Sequence, residues 1–181
     1  MLTTRSAKRD KVGLFNTDMM FDILDDGRPI GSLVFSKKTM KAAITVDGKD
    51  YTVARVSERH DERPYEVLFR IVTGREKPPP NPWVLKDASG QTLALGERVK
   101  QSFAVSRGEE NFSLRRVSRP YHLYRQGSEQ SLGWVGQEKL LSGTLHMNLP
   151  AEFDPAFQVF LLSLVLALTM QNLENSSSYS P

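Results

Sequence analysis

Three histidines, a run of aspartates and two basic clusters are the side chains of this sequence whose types could do chemistry. His122 and His146 each stand between apolar neighbours, Tyr121/Leu123 and Leu145/Met147, at the positions that alternate outward on a strand. Neither has a second ligand at a metal-binding spacing. His60 lies in Glu58-Arg-His-Asp-Glu-Arg63, a mixed charge run typical of a solvated loop. Asp22, Asp25, Asp26 and Gly27 begin like a calcium loop, but Leu24 and Leu33 occupy positions that need oxygen ligands. No Gly-x-Ser-x-Gly elbow, phosphate-cradling Gly-Lys-Ser/Thr or dinucleotide glycine motif follows a strand. The expectation is a protein without catalytic residues, metal or cofactor.

The basic clusters are anion sites in kind. Ser36-Lys-Lys-Thr-Met-Lys41 brings Lys37, Lys38 and Lys41 together on one turn, three point charges suited to a phosphorylated headgroup. Arg115, Arg116, Arg119 and Arg125 interleave with Tyr121 and Tyr124, a mixture that would hold phosphate through guanidinium and stack a ring on tyrosine. Both clusters also read as solvated surface.

Short strands must carry these residues. Ile44/Val46, Tyr51/Val53, Leu93/Leu95, Phe103/Val105, Phe112/Leu114 and Leu145/Met147 each skip one position, the period of a half-buried strand. Asp-Gly and Ser-Gly pairs at the reversals supply the positive φ of tight hairpins. A four-strand meander from Phe21 to Val56 is followed by a second from Trp83 to Val117, closing alike on Tyr51-Thr-Val-Ala-Arg-Val-Ser57 and Phe112-Ser-Leu-Arg-Arg-Val-Ser118. A third, shorter unit runs from Tyr121 to Leu149 and lacks a fourth strand. With Tyr65 to Val72 as a strand between the first two units, the count reaches about 12. Gly74 to Pro82 is too rich in proline for a central strand and reads as an extended connector.

A sheet of that size must curl or close, and a closed one needs its lumen filled. The filler is Phe157 to Met170, an uncharged apolar segment with no polar stripe: Gln158 and Thr169 fall on one side, Ser163 well away, and leucines between. Asp154 and Pro155 suit its N-cap and first helical position, and Gln171-Asn172 its end. At about 1.5 Å per residue it reaches about 21 Å, short of the roughly 30 Å of bilayer hydrocarbon. The fold class is therefore mainly β, a closed antiparallel barrel of about 12 strands wrapped around a hydrophobic C-terminal helix. Residues 1–20 are expected as a basic flexible arm, 21–172 as a single barrel domain with internal repeats, and 173–181 as a disordered tail.

The 181 residues suit one domain, and the absence of cysteine excludes disulfides, thiolate chemistry and cysteine-type zinc sites. A reducing, cytoplasmic setting fits, and the N-terminus has no apolar run of a secretory signal. The net charge of +3 favours anionic partners mildly.

Three meander units, the glycine pairs Gly27/Gly31, Gly90/Gly96 and Gly133/Gly136, and the run from Asp154 to Met170 behind Pro150-Ala-Glu-Phe-Asp-Pro155 resemble the tubby C-terminal-like superfamily, in its LURP-one-related and phospholipid-scramblase-like branches. The resemblance spans about residues 20 to 172 and implies a 12-stranded barrel around a central helix, acting by phosphoinositide binding or at membranes. No tubby headgroup motif or scramblase calcium motif is present. The functional expectation is a non-enzymatic module for anionic lipid headgroups or a membrane-associated partner, peripheral at the membrane. A nucleic-acid or transcription-linked module and a structural protein-interaction domain are the alternatives.

Overall fold

The computed structural model describes residues 1–6, 18–56, 82–117, 120–136 and 144–177. Among them β1 (Leu2–Ser6), β2 (Asp18–Asp25), β3 (Arg28–Ser36), β4 (Lys41–Val46) and β5 (Lys49–Arg55) precede β6 (Trp83–Asp87), β7 (Thr92–Val99), β8 (Ser102–Arg107) and β9 (Glu110–Arg116). Then come β10 (Tyr121–Arg125), β11 (Ser131–Gly136), β12 (Thr144–Asn148) and one helix, α1 (Pro155–Ser177). The twelve strands close into an antiparallel barrel in which β2 to β12 follow chain order and β1 joins the two ends.

Alternation decides which side chains enter. In β4, Ala42, Ile44 and Val46 are buried while Lys41, Ala43 and Thr45 are exposed, and Phe112 and Leu114 in β9 and Leu145 and Met147 in β12 follow the same rule. These inward rows meet a helix that is apolar on every side, and each position from Ala156 to Leu168 is buried. Its two buried polar side chains are satisfied internally: Gln158 Nε2 donates to the Phe153 carbonyl at 2.8 Å, and Ser163 Oγ to the Val159 carbonyl at 2.9 Å. Gly96 marks the close approach of barrel and helix, since a Cβ there would stand 2.8 Å from Leu164 Cδ1.

The repeat is threefold. The first strand of each unit carries a bulge before its hairpin, at Ile23/Leu24, Leu85/Lys86 and Leu123/Tyr124. Each of those hairpins then turns on a glycine of similar φ, Gly27 at 82°, Gly90 at 85° and Gly127 at 80°. The equivalent turn glycine of the third unit is thus Gly127; Gly133 and Gly136 lie in β11, as Gly31 and Gly96 lie in β3 and β7.

Two expectations are corrected. Leu2–Ser6, expected within a flexible arm, is β1, pairing β12 on one side and β2 on the other, and β2 begins at Asp18. It is the missing fourth strand of the third unit, supplied from the opposite end of the chain because a sheet left open there would expose two edges and the apolar lumen. The strand expected at Tyr65 to Val72 lies outside the described residues. The tail from 173 is also corrected, because α1 runs on to Ser177; Gln171 to Ser177 contains no Gly or Pro to stop it.

Candidate anion-binding end of the barrel

The registers sort the charged residues between two ends. One end holds the hairpins of β2–β3, β4–β5, β6–β7, β8–β9 and β10–β11 and the start of α1. Tight turns recruit Asp and Gly because both central residues need positive φ, as at Asp26/Gly27 (45° and 82°) and Asp47/Gly48 (50° and 73°). That chemistry makes this end acidic: among the described residues ten carboxylates, including Asp25, Asp26, Asp47, Asp50 and Asp87, face five basic side chains. Asp87 is held below the usual carboxylate range chiefly by the Ser89 hydroxyl, with the Gln91 and Ser89 backbone N–H groups.

The other end is basic. Lys37 and Lys38 occupy the β3–β4 turn and Lys41 opens β4, all three exposed and without an ion pair to a described residue. Around the same rim stand Arg98 and Lys100 at the β7–β8 turn and Arg115 and Arg116 at the end of β9, with Arg5 and Arg55 closing β1 and β5. Among the described residues these nine cations share that half of the barrel with four carboxylates, Asp18, Glu97, Asp22 opposite Arg5 in the register, and Glu174 on the last turns of α1. The helix C-terminal half emerges at this rim, where Arg98 Nη1 donates to Gln171 Oε1 and its Nε to the Lys100 carbonyl at 2.9 Å. Val99 and Val117, 47% and 66% exposed, lie beside these cations.

The three lysines stand at one turn, whereas the arginine and tyrosine residues are spread between the core and both ends of the barrel. Tyr121 points into the core, 5% exposed, with its phenol pKa pushed up mainly by burial. Arg125 sits at the acidic end, 3.0 Å from Glu110 Oε1 and 4.0 Å from Glu152 Oε1. Arg115 lies 4.0 Å from the Tyr124 ring centroid, so the ring face that would stack a base is already covered. Arg119 is outside the described residues. A strand of five residues separates Tyr121 from Arg125 by the barrel's height, which spacing in sequence does not reveal.

His122 and His146 point outward as read. His122 Nδ1 lies 3.3 Å from Ser131 Oγ, and the His146 ring packs 6.0 Å from Trp134. His60 lies outside the described residues, and no group of three His, Cys, Asp or Glu side chains among the described residues could hold a metal. Asp25 and Asp26 instead face the Met1 ammonium, at 3.4 and 3.0 Å. A cleft of about 200 Å³ on the outer faces of β7, β8 and β9, lined by Leu95, Glu97, Ala104, Ser106 and Asn111, is smaller than most ligand sites. Ser106 Oγ spends its proton on Asn111 Oδ1 at 2.8 Å.

Arg107 has no local signal in sequence. Its Nη2 reaches Asp154 Oδ2 at 2.9 Å while the guanidinium lies over Phe157 and Phe153, 5.0 and 5.8 Å from their centroids. No helix among the described residues is long and apolar enough to cross a membrane. No protein-family model matches this chain, and neither curated proteins nor solved structures give a match.

Proposed function

We propose that this chain is a non-enzymatic binding module for anionic lipid headgroups, which it meets with the basic end of the barrel. One observation carries the reading: among the described residues, nine cations against four carboxylates at one end of a molecule whose formal charge is only +3. The charge is not large; it is concentrated on one rim. Exposed Val99 and Val117 beside it add apolar tips suited to a headgroup layer. A closed barrel around an apolar helix is also what membership of the tubby-like superfamily implies, and that membership is part of the proposal.

Near an anionic leaflet each Lys or Arg contributes about 1 kcal/mol, so Lys37, Lys38 and Lys41 together supply about 3 kcal/mol, sufficient for recruitment and not for permanent anchoring. Sedimentation with phosphatidylcholine vesicles, with and without a phosphoinositide, tests it. Binding should require the phosphoinositide, fall with salt, and drop roughly a hundredfold in Lys37→Ala/Lys38→Ala/Lys41→Ala. Wild-type protein that ignores such vesicles at low ionic strength would exclude the lipid reading. A salt-dependent shift of single-stranded DNA in that case would move the assignment to nucleic acid.

A further inference from the structure

The barrel is closed by a strand taken out of chain order, and that strand carries a buried polar atom without a partner. β1 stands between β12 and β2, with residues 7–17 between it and β2 in sequence. Two of its side chains are buried in the barrel, Leu2 and Thr4. Thr4 is fully buried and its Oγ1 has no hydrogen-bond partner. Such a hydroxyl has lost water and gained nothing in return. Across the seam, His146 is the register partner of Thr3, and its Nδ1 is likewise buried without a partner. Arg115 Nε, in β9, is the remaining atom of this kind among the described residues. Four residue pairs join β1 to β12, as many as join β6 to β7 and β10 to β11, five join β1 to β2, and the shortest ladder, with three, is the neighbouring β12 to β11.

Opening this seam hydrates the Thr4 hydroxyl and withdraws one leucine from the core. It leaves β12 and β2 with facing rows of unpaired N–H and C=O groups, a template for an incoming strand. We propose that β1 is a displaceable closing strand, and that the slot between β12 and β2 docks the β1 segment of a second copy of this chain. The slot names its own occupant. Position 4 must fit between Leu145 and Ile23, position 2 beside Met147, and position 5 opposite Asp22, where Arg5 now stands. The same segment from another copy restores every one of these contacts, so exchange changes only the connection.

The absence of cysteine makes the test clean. Thr3 and Leu24 are half-buried register partners on β1 and β2, so cysteines there meet across the seam. A Thr3→Cys chain mixed with a mass-tagged Leu24→Cys chain and mildly oxidised should give a disulfide-linked heterodimer whose yield rises with protein concentration. Replacing Leu24→Cys by Met20→Cys, exposed on β2 but outside the β1 register, should abolish it. Thr4→Val, which removes the orphaned hydroxyl, should slow heterodimer formation about tenfold. Hydrogen exchange on the unmodified chain should show β1 and the β12 amides exchanging at least tenfold faster than those of β8 and β9. The proposal is overturned by the absence of a heterodimer where Thr3→Cys/Leu24→Cys in one chain closes its own disulfide, by equal linking through Met20→Cys, by an unchanged rate in Thr4→Val, or by uniform exchange.

Discussion

Asp154 uses its two carboxylate oxygens for different tasks. Oδ1 accepts the Phe157 N–H at 2.9 Å, capping α1, while Oδ2 takes the Arg107 guanidinium. Asparagine keeps the first and loses the second. Asp154→Ala should therefore cost about 1 to 2 kcal/mol in urea unfolding, most of it the cap, and Asp154→Asn only about 0.5 kcal/mol, since the ion pair is half exposed. Equal losses would mean that the pair, not the cap, holds the helix start. Tyr121 sets an alkaline limit: its folded pKa is raised above the ordinary 10 by burial, so its contribution is complete below pH 10 and is lost as pH rises through the higher folded value. Thermal melts from pH 8 to 11.5 should fall in the wild type and fall less steeply in Tyr121→Phe, where Tyr51, also pushed up mainly by burial, still titrates. Residues acting on near neighbours were legible: Asp154-Pro155 announced the cap from sequence. Arg107, 47 positions from Asp154, and Arg125, carried to the wrong end by its strand, were not, because their roles depend on strand direction in space.

At the scale of elements, hairpins and helix were readable because each is fixed by neighbours in sequence. Alternating apolar residues locate β2 to β5, with Asp-Gly turns at Asp26-Gly27 and Asp47-Gly48, and β8 to β9, with Gly108 at the turn, without knowledge of the rest of the chain. β1 defeated the same reasoning. Leu-Thr-Thr-Arg-Ser has one large apolar side chain, and its two partners lie at opposite ends of the sequence, so nothing local marks it as a strand. The helix, conversely, stated its fate by having no polar face, and the lumen it fills is where a charge is least tolerable. Leu164 is fully buried against Gly96. Leu164→Ala should cost about 2 to 5 kcal/mol, and Leu164→Asp should abolish soluble folding by adding an unpaired buried charge to a stability of about 5 to 15 kcal/mol. A Leu164→Asp chain that stays monodisperse with an unchanged melt would refute the enclosed helix.

Charge separation along the barrel belongs to the whole molecule and to no single motif. It has a structural cause as well as a functional use. The helix N-terminus, with its partial positive charge, opens at the acidic end, and its partial negative C-terminus points to the basic one, so each rim complements the dipole it surrounds. The structural role predicts dependence on both ends; the binding role predicts dependence on one. Two triple variants separate them at equal net charge, each lowering the formal charge from +3 to 0. Arg28→Ala/Lys49→Ala/Lys86→Ala strips cations from the acidic end and should bind phosphoinositide vesicles as the wild type does. Lys37→Ala/Lys38→Ala/Lys41→Ala strips the basic rim and should bind roughly a hundredfold more weakly at low salt. Equal weakening in both would show that the vesicle senses total charge, and the rim would lose its claim as the binding face. Because all six side chains are exposed or at the margins of strands, both variants should melt within about 0.5 kcal/mol per substitution of the wild type, which keeps the comparison one of position alone.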